Sequence, residues 1–237
     1  MDSRPTNADV GDTMIKIHKT ASTSVPAFTK DRYVAVNSGL PKETVDLVTQ
    51  YALFDEIQRY SPEAEGLQVP GAHSKYADPL METLLLSLHP TIEKYTGLKL
   101  FPTYSYYRVY HPGDKLDHHL DRPSCEVSLT ISFEYDYKNK KGYTWPIYID
   151  GTPISLKPGE MAIYRGCELD HWRDPFDAPE GSFHVQAFLH YVDVNGPNAS
   201  FKYDGRESVG TINKNTSTTQ SSVTQRASNK SYIEYTN

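Results

Sequence analysis

From Leu98 to about residue 195 the chain is a succession of short apolar, β-branched and aromatic runs with no helical pattern between them. The runs fall at 104–110, 126–135, 146–150, 161–165 and 184–192. Between them stand turn signals such as His111-Pro-Gly-Asp, Asp150-Gly-Thr-Pro and Lys157-Pro-Gly-Glu. Many short strands joined by Gly/Pro turns fold as an antiparallel sandwich or barrel. The expected fold class is mainly β with supporting helices, the helices packed on one face of a double-sheet jelly roll.

The region before this β core reads differently. A strand-like run at 33–36 precedes Pro41-Lys-Glu-Thr-Val-Asp-Leu-Val, where Pro occupies a first-turn position and Val45, Val48 and Ala52 share one face. That pattern predicts an amphipathic helix. Residues 58–77 read as a long irregular connection, a natural lid or substrate loop by its length. Asp78-Pro79 starts a second helix, expected to break or kink at Pro90 and to end at Gly97.

The domain reading follows. Residues 1–12 are a flexible N-terminus, and 13–205 form one domain with helical support at 35–97 and a jelly-roll core at 98–195. Residues 206–237 are a polar tail: from 213 to 231, 12 of 19 residues are Ser, Thr or Asn. Such a segment buries too little to offset its ordering entropy, so disorder is expected there.

The 237 residues suffice for one domain with a real core. No apolar run approaches the roughly 20 residues that span a bilayer, so no membrane insertion is expected. A net charge of −6 argues against nucleic acid held by bulk charge. Two cysteines, Cys125 and Cys167, and a polar N-terminus fit a cytoplasmic protein.

Chemistry concentrates in Tyr110-His-Pro-Gly-Asp-Lys-Leu-Asp-His-His-Leu-Asp-Arg, which contains His119-Leu120-Asp121. In a strand, residues i and i+2 project from one face roughly 6.6 Å apart, so this imidazole and carboxylate can lean toward one ion. A facial triad of two histidines and one carboxylate holding Fe(II) needs this pair and a second His from another strand. His171, within Leu169-Asp-His-Trp-Arg, stands fifty residues past Asp121 and can close over the metal. His118 is expected to face solvent opposite His119, and Arg122 to support Asp121 or Glu126.

Tyr-x-Pro-Gly, then His-x-Asp-Arg, then Lys157-Pro-Gly-Glu-Met-Ala-Ile-Tyr, then His-Trp-Arg, resembles the Fe(II)/2-oxoglutarate-dependent oxygenases, nearest the prolyl-4-hydroxylase-like subgroup. The resemblance covers about 98–195. It implies a double-stranded β-helix, Fe(II) on His119, Asp121 and His171, and 2-oxoglutarate as cosubstrate with O2. 2-Oxoglutarate would be decarboxylated to succinate and CO2 while a C–H bond is hydroxylated. A carboxylate at 121 implies hydroxylation rather than halogenation. The family sets a Lys or Arg nine to ten residues after the distal His to hold the far carboxylate of 2-oxoglutarate, and here Glu180 and Gly181 stand there.

A buried carboxylate still needs a cation. Arg173, two residues beyond His171, is the first choice because its planar fork suits a bidentate partner. The bland alternative is a salt bridge from Arg173 to Asp170, Asp174 or Asp177. His184 with Gln186 beside it, Arg108 and Arg165 are further options, and Tyr110 matches the family Tyr that lines the cosubstrate pocket. The substrate expectation is a prolyl peptide, a free amino acid or another small metabolite. The rival reading is a non-catalytic cupin-like metal-binding or structural protein.

Overall fold

The computed structural model describes residues 25–37, 39–59, 69, 72–211, 223–224 and 234–235. Its helices are α1 (Val25–Asp31), α2 (Lys42–Arg59) and α3 (Pro79–Thr96). The strands of the body are β1 (Tyr33–Val36), β2 (His73–Tyr76), β3 (Leu100–Tyr110), β4 (Leu116–His119) and β5 (Val127–Asp136). They continue with β6 (Ile147–Ile149), β7 (Thr152–Ile154), β8 (Met161–Tyr164), β9 (His171–Arg173) and β10 (Phe183–Asp193). One antiparallel sheet runs β1-β8-β5-β10-β3-β2, and a smaller one runs β4-β9-β6-β7. This is the expected mainly-β double-sheet arrangement with supporting helices.

The larger sheet has two chemically distinct faces because side chains alternate along a strand. Val127, Leu129, Ile131 and Phe133 on β5, with Val185, Ala187, Leu189 and Tyr191 on β10, turn toward α2 and α3 and form the main core with Val45, Val48, Ala52, Leu85, Leu88 and Ile92. The opposite face of the same strands lines the space between the sheets.

Local signals placed the second helix well. Asp78 caps α3 by accepting from the backbone N–H groups of Leu80 and Met81, with Pro79 at the first turn, and Gly97 ends it in the left-handed region at φ 73°. The expected break at Pro90 does not occur, and α3 continues to Thr96. Proline deletes one backbone donor, and burial of Leu88 and Ile92 on the two sides holds the helix through it.

Part of the expected irregular connection is strand β2, which pairs antiparallel with β3. His73-Ser-Lys-Tyr has no alternating apolar pattern, so it pairs through polar contacts. His73 Nε2 lies 3.1 Å from Asp55 Oδ2 on α2 and 3.1 Å from the Tyr107 hydroxyl, which itself donates to Asp55. Lys75 Nζ meets Asp78 at 2.6 Å. Residues 60–68 and 70–71 of that connection lie outside the described residues, as do 1–12.

Residues 206–211, assigned to the tail on composition, pack on the body. Arg206 is buried, its guanidinium meets both carboxylate oxygens of Glu82 at 2.7 and 3.0 Å, and it donates to the Thr103 carbonyl at 2.8 Å. Glu82 lies 124 residues away in sequence, a separation at which composition is blind to the pairing. Further along the tail, Val223–Thr224 pairs with Glu234–Tyr235, and the rest of it lies outside the described residues.

Candidate metal centre

Strand β4 ends at His119, whose Cα stands opposite His171 at the start of β9. The two imidazoles lie 4.1 Å apart, centroid to centroid. Asp121 is not on a continuing strand: β4 stops at His119, with a register shift before it. The carboxylate is instead turned inward by a loop whose Asp121 N–H donates to the Gly166 carbonyl at 2.9 Å. Asp121 Oδ1 lies 3.8 Å from His119 Nε2 and 3.6 Å from His171 Nε2.

The backbone fixes how both imidazoles present themselves. His119 Nδ1 lies 2.8 Å from the Asp117 carbonyl, and His171 Nδ1 lies 2.9 Å from the Leu169 carbonyl. A carbonyl only accepts, so each Nδ1 carries the hydrogen and each Nε2 turns a lone pair toward Asp121. One donor atom from each of the three residues falls within 4.8 Å of the others. Two neutral imidazoles and one carboxylate, gathered from two strands and a loop, fit an octahedral ferrous ion on a single face.

Burial and mutual charge set the protonation of the trio. Burial pushes His119 down to about 4, helped by the neighbouring His171. Burial would raise the Asp121 carboxyl, but His171, His190 and His119 hold it well below the usual carboxylate range. His171 moves up, because the attraction of Asp121 outweighs its burial.

A cavity opens on this cluster. Tyr104, Tyr106 and Arg108 of β3 and Phe188 and His190 of β10 form its walls, with Leu116, Leu120 and Tyr164 beside the ligand-type residues. The Tyr104 ring packs against His190, centroids 4.5 Å apart and the rings tilted by 35°. Tyr107, between two of these positions, points to the helices instead.

Arg173 is buried between the sheets, on the same face of β9 as His171. Its guanidinium donates to the Trp145 carbonyl at 2.6 Å and to the Gln186 amide oxygen, and it lies 4.5 Å from the Trp145 ring and 5.9 Å from the Tyr110 ring. The alternative salt bridges are not made among the described residues. Asp170 takes His118 at 2.7 Å and Asp177 takes Lys140 at 2.7 Å, while Asp174 accepts from Trp145 only through its backbone carbonyl. Burial pulls the Arg173 guanidinium down from its usual value.

The other basic candidates sort by position. Arg108 is fully buried and donates to the Tyr110 hydroxyl at 3.1 Å. Arg165 meets Glu168 at 3.3 Å outside the barrel. His184 has one ring nitrogen 3.1 Å from Ser132 Oγ and the other 3.0 Å from the Tyr137 hydroxyl, and burial moves it well below its usual value. Both of its nitrogens are engaged, which disfavours it as a carboxylate partner.

Two supporting expectations diverge. His118 does face outward, stacked on Trp172 with centroids 3.8 Å apart. Arg122 is turned to Asp204. It forms a bidentate pair with Asp204 at 2.7 Å and lies over the Tyr104 ring at 4.6 Å. Ser128, Gly166 and Tyr164 escaped the sequence reading, although Ser128, Thr130 and Ser132 recur at period two between the apolar Val127, Leu129, Ile131 and Phe133. That polar stripe was the available signal.

No family model matches the chain, and no curated protein matches it in sequence. Solved structures do resemble it. EctD from S. alaskensis with bound Fe has a TM-score of 0.55 at 15% identity, over 77% of this chain and 82% of that one. The viral collagen prolyl hydroxylase of Paramecium Bursaria Chlorella virus-1, in its 2OG complex, has a TM-score of 0.52 at 12% identity, over 69% and 97%. A prolyl hydroxylase from Trichoplax adhaerens, in complex with a hypoxia inducible factor peptide fragment, has a TM-score of 0.55 at 13% identity, over 72% and 88%. At these identities the likeness is one of fold, and the fold is the double-stranded β-helix.

Proposed function

We propose that this protein is a non-haem Fe(II)/2-oxoglutarate-dependent dioxygenase that hydroxylates a C–H bond. The observation that carries this reading is the geometry of His119, Asp121 and His171: two Nε2 lone pairs and one carboxylate oxygen converge where both Nδ1 hydrogens are already committed to backbone carbonyls. When bound, Fe(II) with 2-oxoglutarate and O2 supplies the oxidation, 2-oxoglutarate leaving as succinate and CO2.

The chain's own residues bind, orient and exclude water. Arg173, with neutral hydrogen-bond partners in a buried setting, would hold the far carboxylate of 2-oxoglutarate. Tyr110 and Trp145 would wall that site, since both rings flank the guanidinium. Tyr104, Tyr106 and Phe188 would shape the substrate side. A prolyl peptide is the favoured substrate, supported by the prolyl hydroxylases among the similar structures, with a free amino acid or other small metabolite as the alternative. The unpaired Cys125 and Cys167 fit a reducing, cytoplasmic location. No helix among the described residues is long and apolar enough to cross a membrane.

The test is succinate release from 2-oxoglutarate under air with Fe(II), with candidate peptides and metabolites. Turnover is expected, and Arg173→Leu is expected to raise the 2-oxoglutarate requirement at least tenfold, the scale of a lost charge-assisted bidentate contact of about 1.5–3 kcal/mol. No succinate under any of these conditions would favour the non-catalytic metal-binding reading, and an unchanged requirement would move the carboxylate to Arg108.

A further inference from the structure

The two oxygens of Asp121 have different surroundings. Oδ1 faces both imidazoles, at 3.8 and 3.6 Å. Oδ2 faces away from them and accepts from Ser128 Oγ at 2.6 Å. Ser128 Oγ also lies 3.1 Å from the Cys125 carbonyl and 3.0 Å from His190 Nδ1.

One hydroxyl hydrogen cannot serve three acceptors. The carboxylate and the carbonyl only accept, and the short contact to the charged oxygen takes the hydrogen. His190 Nδ1 must then be the donor, so a directed chain runs from His190 through Ser128 to Asp121. Ser128 and His190 are both buried, and the Tyr104 ring packs against His190.

Gly166 closes this arrangement independently. A Cβ there would collide with Asp121 Oδ2, the Cys125 carbonyl and Ser128 Oγ together. The Gly166 carbonyl also accepts from the Asp121 backbone N–H at 2.9 Å. Glycine is required by close approach, and what approaches is the outward oxygen of Asp121 with its hydroxyl donor.

We propose that Ser128, aimed by His190 and roofed by Gly166, is a positioning residue that holds Asp121 as a one-oxygen ligand. This rests on reading His119, Asp121 and His171 as the metal ligands. A carboxylate free to swing could chelate through both oxygens and occupy a coordination position that cosubstrate or O2 requires. The Ser128 hydroxyl fixes the swing with a bond that only Oδ2 can accept.

The test titrates the full chain with Co(II) alone and follows its visible absorption. Ser128→Ala and Gly166→Ala are each expected to weaken Co(II) binding about 10–100-fold and to change the band shape as the second oxygen moves inward. Ser128→Thr, which keeps a hydroxyl, is expected to restore both. His190→Phe keeps a ring against Tyr104 and removes the donor that aims Ser128, so it is expected to shift the band in the same direction, by less, should Ser128→Ala not fold. Wild-type affinity and spectrum in Ser128→Ala or, in its place, His190→Phe would overturn the proposal, as would a Thr variant no better than Ala. A wild-type chain that binds no Co(II) would overturn the underlying metal reading as well, which separates the two failures.

Discussion

Strands β5 and β10 are buried on both faces, and the two faces do different work. Toward the helices stand Val127, Leu129, Ile131 and Phe133, with Val185, Ala187, Leu189 and Tyr191. Toward the barrel stand Ser128, Thr130 and Ser132, with His184, Gln186, Phe188 and His190, all of them buried as well. Burial alone therefore does not separate core from site. The separation lies in polarity at alternate positions, and in how the polar face satisfies itself.

That polar face is a set of rungs. Ser128 meets His190 at 3.0 Å, Thr130 receives from Gln186, and Ser132 meets His184 at 3.1 Å. The first rung joins residues paired in register, whereas the second runs diagonally, Gln186 standing opposite Ser132 and Thr130 opposite Phe188. Each buried polar group thereby keeps a partner, which avoids a desolvation cost of about 1–3 kcal/mol per orphan. The apolar face needs no such pairing and gains from area alone.

The comparison breaks most sharply with Leu129→Ala. Removing that side chain from the helix-facing core is expected to cost about 2–5 kcal/mol of unfolding free energy. Metal affinity of the folded fraction should stay unchanged. Denaturant unfolding together with Co(II) titration reads both quantities. A loss of metal affinity comparable to that of a barrel-facing variant would show that the two faces are not separable.

Much of the larger face pattern was legible in the chain, because period-two alternation over ten residues is a strong signal. The caps at Asp78 and Gly97 were legible for the same reason: one residue type meets one backbone need. Strand β9 has three residues and β4 has four, too few for any period to show. The inward turn of Asp121 depends on the Gly166 carbonyl, and the partner of Arg122 is Asp204, 82 residues on. Neither pairing leaves a local trace.

A smaller effect concerns the segment after β10, which belongs to neither face. Burial would raise the Asp204 carboxyl, but its bonds from Arg122 and Tyr76 hold it below its usual value. A depressed carboxylate contributes stability that is complete above the ordinary aspartate range near about pH 4 and fades as pH falls from there. The melting temperature of the wild type should exceed that of Asp204→Asn at neutral pH. The gap should narrow below about pH 4. A gap independent of pH would show that the contact acts through shape rather than charge.

The most direct measurement is the absorption of the protein with Fe(II) and 2-oxoglutarate under anaerobic conditions. The account predicts a visible metal-to-ligand charge-transfer band in the wild type that is absent in His171→Ala, with both proteins folded. No band in the wild type, or an undiminished band in His171→Ala, would contradict the assignment of His119, Asp121 and His171 as the ferrous site.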